Sequence, residues 1–137
     1  MNLKTLAIAL AYLIILAASS CNREKQGGDH KDIITLTSEN FEDETSTGVI
    51  LVDFWATWCI PCKAMSPVIN EIAAQTKGRV KVCKVDVDQC GELATKFRVT
   101  GIPNFIILKD GKEVENLVGI QSKETLVHAL QKHVNLQ

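Results

Sequence analysis

The chain has 137 residues, 46% of them hydrophobic, and a formal net charge of −1. This length and composition predict one globular domain preceded by an N-terminal extension. Lysine and arginine are scattered along the chain, so it lacks the basic stripe that nucleic-acid binding requires, and nucleic acid is not expected as a partner.

The first twenty residues differ in composition from the rest of the chain. A lysine at position 4 precedes an unbroken apolar run from Leu6 to Ala18, and Ser19, Ser20 and Cys21 follow. A positive start, a short apolar middle and small residues are typical of a secretory signal. The run is shorter than the roughly 20 residues that span a bilayer. We therefore predict a signal peptide over residues 1–20.

The end of this segment resembles the lipobox of bacterial lipoproteins, in which the cysteine becomes the acylated N-terminus. Cys21 would carry the lipid, with Ala18 in place of the leucine that usually lies three residues before it. We predict a lipid anchor and flexible tether over residues 21–31, and the folded domain over residues 32–137. The predicted location is the periplasmic face of a membrane; the alternatives are an uncleaved anchor, a soluble periplasmic protein or a cytoplasmic one.

The remaining chain predicts nine elements in the order β-α-β-α-β-α-β-β-α. Ser38 should cap a brief helix that carries Phe41. The continuous apolar run Val49 to Phe54 is typical of a strand buried on both faces, which implies helices on both sides of the sheet. Predicted strands cover 33–36, 49–54, 80–87, 104–109 and 113–118, and predicted helices lie around 41 and at 59–77, 90–97 and after 122.

Local signals set the boundaries of several of these elements. Pro67 should interrupt and kink the long helix that starts at Cys59. Asp110-Gly111 is a strong hairpin signal, so the last two strands should be antiparallel. Ser122 should cap the final amphipathic helix.

Trp58-Cys59-Ile60-Pro61-Cys62 lies where a buried strand ends and a helix begins. Helix N-terminal amides favour thiolate over thiol, and thiolate is the form that attacks a disulfide. Cys59 is therefore the predicted nucleophile. Cys62, three residues later on the same helix face, is the predicted resolving thiol.

The other cysteines and the histidines predict no metal site. Structural zinc needs four ligands, which one cysteine pair and isolated histidines do not supply, while a plain structural disulfide is the remaining alternative for the pair. Cys83, inside a predicted strand, and Cys90, at a predicted helix start and partly exposed, should be reduced and structural. The three histidines of the chain are His30, His128 and His133, and the last two should be solvated.

The order of elements and these motifs closely resemble the thioredoxin family over roughly residues 32–134. The resemblance implies the thioredoxin fold, an α/β fold with a mixed central sheet flanked by helices on both faces. Ile60 stands where thioredoxins commonly have glycine. The matching residues are the run 52–59, Pro61, Cys62, Pro67, Lys84, Gly101, Ile102, Pro103 and Gly119.

The resemblance also implies roles for residues near the two thiols. Asp53, whose pKa burial would raise, would take a proton from Cys62, with Lys84 nearby, and Pro103 would be a cis-proline packed against the dithiol. An exposed apolar patch of Trp58, Ile60, Ile102 and Pro103 should surround Cys59, and Trp55 should pack in the core. The predicted substrate-contacting residues are Trp58, Ile60, Pro61, Gly101, Ile102 and Gly119.

The resemblance implies a monomeric thiol:disulfide oxidoreductase that reduces disulfides in client proteins without a bound cofactor. An exported protein would take electrons from a membrane-spanning carrier, and a cytosolic one from thioredoxin reductase. The alternatives are a reductase dedicated to one pathway, such as apocytochrome maturation, and a non-catalytic binding module that uses this fold.

Overall fold

A computed structural model describes residues 32–134. The predicted signal peptide, the tether and Cys21 lie outside the described residues. The described part forms five strands and four helices in the predicted order. They are β1 (Ile33–Thr35), α1 (Phe41–Thr45), β2 (Val49–Trp55), α2 (Ile60–Thr76), β3 (Val80–Asp86), α3 (Gly91–Lys96), β4 (Asn104–Lys109), β5 (Lys112–Val118) and α4 (Lys123–Gln131).

The five strands form one mixed sheet in the order β1-β3-β2-β4-β5. β3 pairs in parallel with both β1 and β2, whereas β4 is antiparallel to β2 and β5. Asp110 and Gly111 form the hairpin turn between β4 and β5 with φ angles of 49° and 77°, the positive values that tight hairpin turns favour. The predicted mixed sheet is confirmed.

Alternating side chains of the strands build two apolar cores, one on each face of the sheet. On β2, Val49 and Leu51 face the core covered by α2 and α4, while Ile50, Val52 and Phe54 face the core covered by α1 and α3. Both faces of β2 are therefore covered, which is why its sequence is apolar at successive positions. The prediction of helices on both faces is confirmed.

The long helix α2 begins directly after the cysteine that the sequence singles out. Cys59 is its N-cap residue, and the helix ends at Thr76, before Gly78 with a φ of 81°. The helix runs without a break through Pro67, which is exposed, so the predicted interruption is wrong. The kink there stays a prediction. Ser122 caps α4 as predicted, since its hydroxyl accepts a 3.1 Å hydrogen bond from the Thr125 amide.

The prediction that Ser38 caps the first helix is wrong. Asn40 is the N-cap residue of α1, and no side chain caps it by a hydrogen bond. The Asn40 amide instead closes the preceding turn, accepting from the Thr37 N–H at 2.8 Å and donating to the Thr35 carbonyl at 3.1 Å. Ser38 lies in that turn, and its hydroxyl contacts the Glu92 carboxylate.

Candidate active site at the start of α2

Cys59 and Cys62 are joined by a disulfide, with their Cα atoms 5.3 Å apart. Cys59 Sγ accepts a hydrogen bond of 3.2 Å from the Cys62 amide. That amide belongs to the first turn of α2, where N–H groups have no helical partner and the helix dipole favours negative charge. The same contact would stabilise a thiolate on Cys59 once the disulfide is reduced.

Both cysteines are buried, at 3% and 2% exposure, in a small cluster with Ala56. Trp55 and Ile102 pack against this cluster. Trp55 is half-buried and thus contributes to the packing beneath the disulfide, as predicted. A molecule that reacts with Cys59 must therefore approach it from the side of the exposed residues around it.

Asp53 is a buried carboxyl on the same face of the sheet as the helix that carries the disulfide. It follows Val49 and Leu51 in alternation on β2 and lies opposite Lys84 in the β2–β3 register. Burial raises the pKa of Asp53 to about 7, although the Lys84 ammonium opposes the rise. Its Oδ1 has no hydrogen-bond partner within the described residues. Asp53 can thus hold or release a proton near neutral pH.

The Ile102-Pro103 peptide bond is cis, as the resemblance implied. Ile102 is half-buried against the disulfide cluster. Pro103 itself is buried, so its predicted place in an exposed patch is wrong. Its carbonyl accepts a 2.8 Å hydrogen bond from the Gly119 amide, which ties the proline loop to the end of β5.

Two large apolar side chains beside the disulfide are exposed, Trp58 at 65% and Ile60 at 78%. The Trp58 indole N–H donates a 2.8 Å hydrogen bond to the Asp88 carboxylate, which fixes one edge of the ring. Sequence reasoning missed Asp88, because nothing local connects a residue thirty positions away with Trp58.

The exposed apolar surface continues at the end of β5, where sequence reasoning named only Gly119. Val118 is 56% and Ile120 65% exposed on either side of this glycine. Apolar residues flanking a predicted loop glycine were the signal that could have identified them. Together with Trp58 and Ile60, they give the disulfide end of the molecule four exposed apolar side chains.

The two predicted substrate-contacting glycines differ in their backbone. Gly119 has a φ of 87°, in the region that favours glycine. Gly101 has no such φ, and a Cβ there would meet Val118 Cγ1 at 3.7 Å, an ordinary contact. The backbone therefore favours glycine at 119 but not at 101.

Cys83 and Cys90 are free thiols, as predicted, and both are buried. The expectation that Cys90 is partly exposed is wrong. Cys90 packs in the core covered by α1 and α3, and its Sγ lies 3.8 Å from the Leu36 carbonyl oxygen. Burial raises the pKa of Cys83 to about 12 and also raises that of Cys90. Neither thiol is poised to form a thiolate at neutral pH.

His30 lies outside the described residues, and the other two histidines lie within them. His128 is exposed, but His133 is half-buried with Nε2 3.4 Å from Glu115 Oε1, so the prediction that it is solvated is wrong. Residues 32–134 contain no group of three or more histidine, cysteine, aspartate or glutamate residues that could hold a metal ion. None of the helices in this range is long and apolar enough to cross a membrane.

Comparison with known proteins gives one consistent result. The thioredoxin family model matches residues 32–132. Thioredoxins of Staphylococcus saprophyticus and Staphylococcus aureus are 46% and 45% identical to the chain over 102 residues, which is 74% of this chain and 98% of each relative. The structure of a mutant thioredoxin from Halobacterium salinarum superposes with a TM-score of 0.72 at 33% identity, covering 81% of this chain and 99% of that one.

Proposed function

The chain belongs to the thioredoxin family and is a thiol:disulfide oxidoreductase, and we propose that it reduces disulfides in client proteins through Cys59 and Cys62. The observation that carries the proposal is the Cys59–Cys62 disulfide at the first turn of α2, on the sheet face that also holds Asp53. This arrangement combines a stabilised thiolate, a neighbouring thiol and a proton acceptor.

In the first step, the Cys59 thiolate attacks one sulfur of a client disulfide. A bond forms between Cys59 Sγ and that sulfur, and the other client sulfur leaves as a thiolate that takes up a proton. The Cys62 amide, which hydrogen-bonds Cys59 Sγ, favours the attacking thiolate. Cys83 and Cys90 do not compete, because burial keeps them protonated.

In the second step, Cys62 releases the client. Asp53 accepts the Cys62 proton, and the Cys62 sulfur forms a bond with Cys59 Sγ. The bond between Cys59 and the client breaks, and the client sulfur leaves as a thiolate that takes up the second proton. The client has gained two electrons and two protons, and the Cys59–Cys62 disulfide of the described structure is the product. Burial raises the pKa of Asp53 to about 7, and the Lys84 ammonium opposes this rise.

Client segments would bind across the apolar surface at this end of the molecule. The exposed Trp58 and Ile60 side chains offer apolar contact, and the backbone beside Pro103 can pair with an extended segment like an added strand. Pro61, Gly101, Ile102 and Gly119 complete the proposed contact surface.

We further propose that the protein is exported and anchored by a lipid on Cys21. The support is the apolar run that ends in Ser19-Ser20-Cys21. An exported protein cannot meet a cytosolic reductase, so its electrons would come from a membrane-spanning carrier. Cys21→Ala should prevent metabolic labelling with palmitate and move the protein to the soluble fraction. Cys90→Ala is the matched control, and unchanged membrane retention of the Cys21 variant argues against the lipid.

Reduction of insulin disulfides with dithiothreitol as the donor tests the catalytic proposal. Cys59→Ser should lower the rate to that of dithiothreitol alone, whereas Cys90→Ser should retain the wild-type rate. A Cys59 variant with the wild-type rate would contradict the role of Cys59, and a wild-type chain no faster than dithiothreitol alone would indicate a fold used only as a binding module.

A further inference from the structure

A cleft of about 360 Å³ lies at the end of the domain opposite the disulfide. It is formed where β2 and β3 begin and where α2 ends. Parallel strands β1, β2 and β3 all start at this end. The disulfide follows the other end of β2, whose seven residues span roughly 23 Å at about 3.3 Å per residue.

The cleft is lined by three basic side chains, Lys77, Arg79 and Lys81, and one acidic side chain, Asp32. This excess of positive charge contrasts with the net charge of −1 of the whole chain. Lys77 Nζ lies 2.7 Å from Asp32 Oδ1. The exposed Arg79 guanidinium donates to the Gln75 carbonyl at 3.1 Å and forms no ion pair within the described residues.

Part of the positive charge of the cleft is already compensated. Lys81 Nζ lies 2.9 Å from Glu44 Oε2 and also donates to the Glu44 carbonyl at 2.7 Å. Both paired lysines remain partly open to solvent, with side-chain exposures of 70% for Lys77 and 36% for Lys81. Exposed pairs of this kind are weak and can be shared with a second anion.

The chain enters the domain at this same cleft. Asp32, the first described residue, is part of the lining, and Cys21 precedes it by eleven positions. If Cys21 carries a lipid, the cleft is therefore the part of the domain attached nearest to the bilayer surface.

We propose that this basic cleft docks on the anionic phospholipid headgroups of the membrane that holds the anchor. This inference rests on the proposed lipid at Cys21. The supporting observations are the positive charge of the lining and the entry of the chain at the cleft. Basic residues close to an anionic leaflet each contribute about fivefold in affinity.

Docking in this orientation has a consequence for the partners of the enzyme. The disulfide and the exposed Trp58 and Ile60 lie at the far end of the domain and face the aqueous compartment. Soluble client proteins then have direct access to Cys59. A membrane-embedded electron donor can then reach Cys59 in two ways. It either extends a soluble part to the far end of the docked domain or reacts after the domain has undocked.

Vesicle co-sedimentation of the chain from Asn22 onward tests the docking without the lipid. This chain should fold on its own, because 102 of its residues match 98% of the length of the S. aureus thioredoxin. Vesicles of 30% phosphatidylglycerol in phosphatidylcholine are compared with pure phosphatidylcholine at low salt. The wild type should bind the anionic vesicles only, and the double variant Lys77→Gln, Arg79→Gln should bind about 25-fold more weakly.

The matched control is Lys96→Gln, Arg98→Gln, which removes the same two charges from exposed positions at the end of α3. This control should bind like the wild type. Equal losses in both double variants, or no loss in either, would overturn the docking site. So would equal binding to both kinds of vesicle. Inorganic phosphate that competes more strongly than sodium chloride at equal ionic strength would also overturn the docking site. Such competition would indicate a site for a small anion instead.

Insulin reduction by the same variants and palmitate labelling of the full chain keep the proposals separable. Weak binding of the wild type to anionic vesicles, together with normal insulin reduction, counts against the docking alone. Absence of insulin reduction counts against the catalytic proposal, and absence of palmitate labelling in the full chain counts against the anchor.

Discussion

Among the residues of the site, Asp53 is the one whose ionised form is destabilised by burial. Its carboxyl is 8% exposed, and burial raises its pKa from 3.8 to about 7. Because the folded protein holds a proton on Asp53 that the unfolded chain has lost, stability falls as the pH rises from about 4 to 7. The ionised carboxylate costs the fold on the order of 4 kcal/mol.

Asp53→Asn should therefore stabilise the fold at alkaline pH. At pH 8 the free energy of unfolding should rise by up to about 4 kcal/mol, and the gain should vanish by about pH 3, where the wild-type carboxyl is mostly neutral in both states. Urea unfolding at several pH values measures this. Asp43→Asn is the matched control, because it makes the same substitution at an exposed position. A gain that is equal at pH 4 and pH 8 would contradict the assigned cause.

The same variant should slow the second step of the reaction. Without a proton acceptor at position 53, displacement of the client by Cys62 should slow more than the initial attack by Cys59. Stopped-flow measurement of formation and decay of a mixed disulfide with a model disulfide separates the two steps. Equal slowing of both would argue against Asp53 as the proton acceptor.

Lys84 should adjust the working pH of Asp53. Lys84→Gln removes the charge that lowers the Asp53 pKa, so this pKa should rise above about 7. The pH at which client release becomes fast should move upward with it. Lys81→Gln is the control, because Lys81 belongs to the same strand but its side chain bonds Glu44 near the other face. A pH profile shifted equally by both variants would rule out a specific role for Lys84.

Among the elements, the loop after β5 depends on a glycine whose backbone conformation other residues disfavour. Gly119→Ala has room for the new Cβ but places alanine at a φ of 87°, so the free energy of unfolding should fall by about 1 to 2 kcal/mol. Gly101→Ala, without a positive φ, should cost less. Denaturant unfolding compares the two, and equal losses would show that the backbone at 119 is not the cause.

Much of the element order could be predicted from short sequence signals. The apolar run of β2 and the Asp110-Gly111 pair each indicate one local structure through periodicity or turn chemistry. The position of the disulfide could also be predicted, because Cys59 lies directly between a buried strand and a helix pattern. The cis bond before Pro103 was predicted only through the family resemblance, because a proline alone favours trans.

Features that depend on the exact path of the backbone or on contacts between distant elements could not be predicted. Asn40, rather than Ser38, forms the turn before α1 because its amide reaches two backbone groups at once. Cys90 is buried because α3 packs against the sheet next to Leu36. The Trp58–Asp88 hydrogen bond likewise exists only once the loop after β3 lies beside the start of α2.

The strands of the sheet run between two ends of the domain that differ in chemistry. One end holds the redox-active pair and four exposed apolar side chains, and the other holds the basic cleft and the entry of the chain. Of the cysteines within the described residues, Cys83 and Cys90 lie buried in one core, apart from the pair. Redox chemistry should therefore be confined to Cys59 and Cys62.

Thiol alkylation of the folded chain from Asn22 onward across a dithiothreitol titration, read by mass spectrometry of its peptides, tests this claim most directly. We predict that the pair Cys59 and Cys62 converts reversibly between disulfide and alkylated thiols under mild reductant. Cys83 and Cys90 should react only after denaturation. A pair that never interconverts, or a disulfide that exchanges through Cys90, would contradict the assignment of the redox chemistry to Cys59 and Cys62.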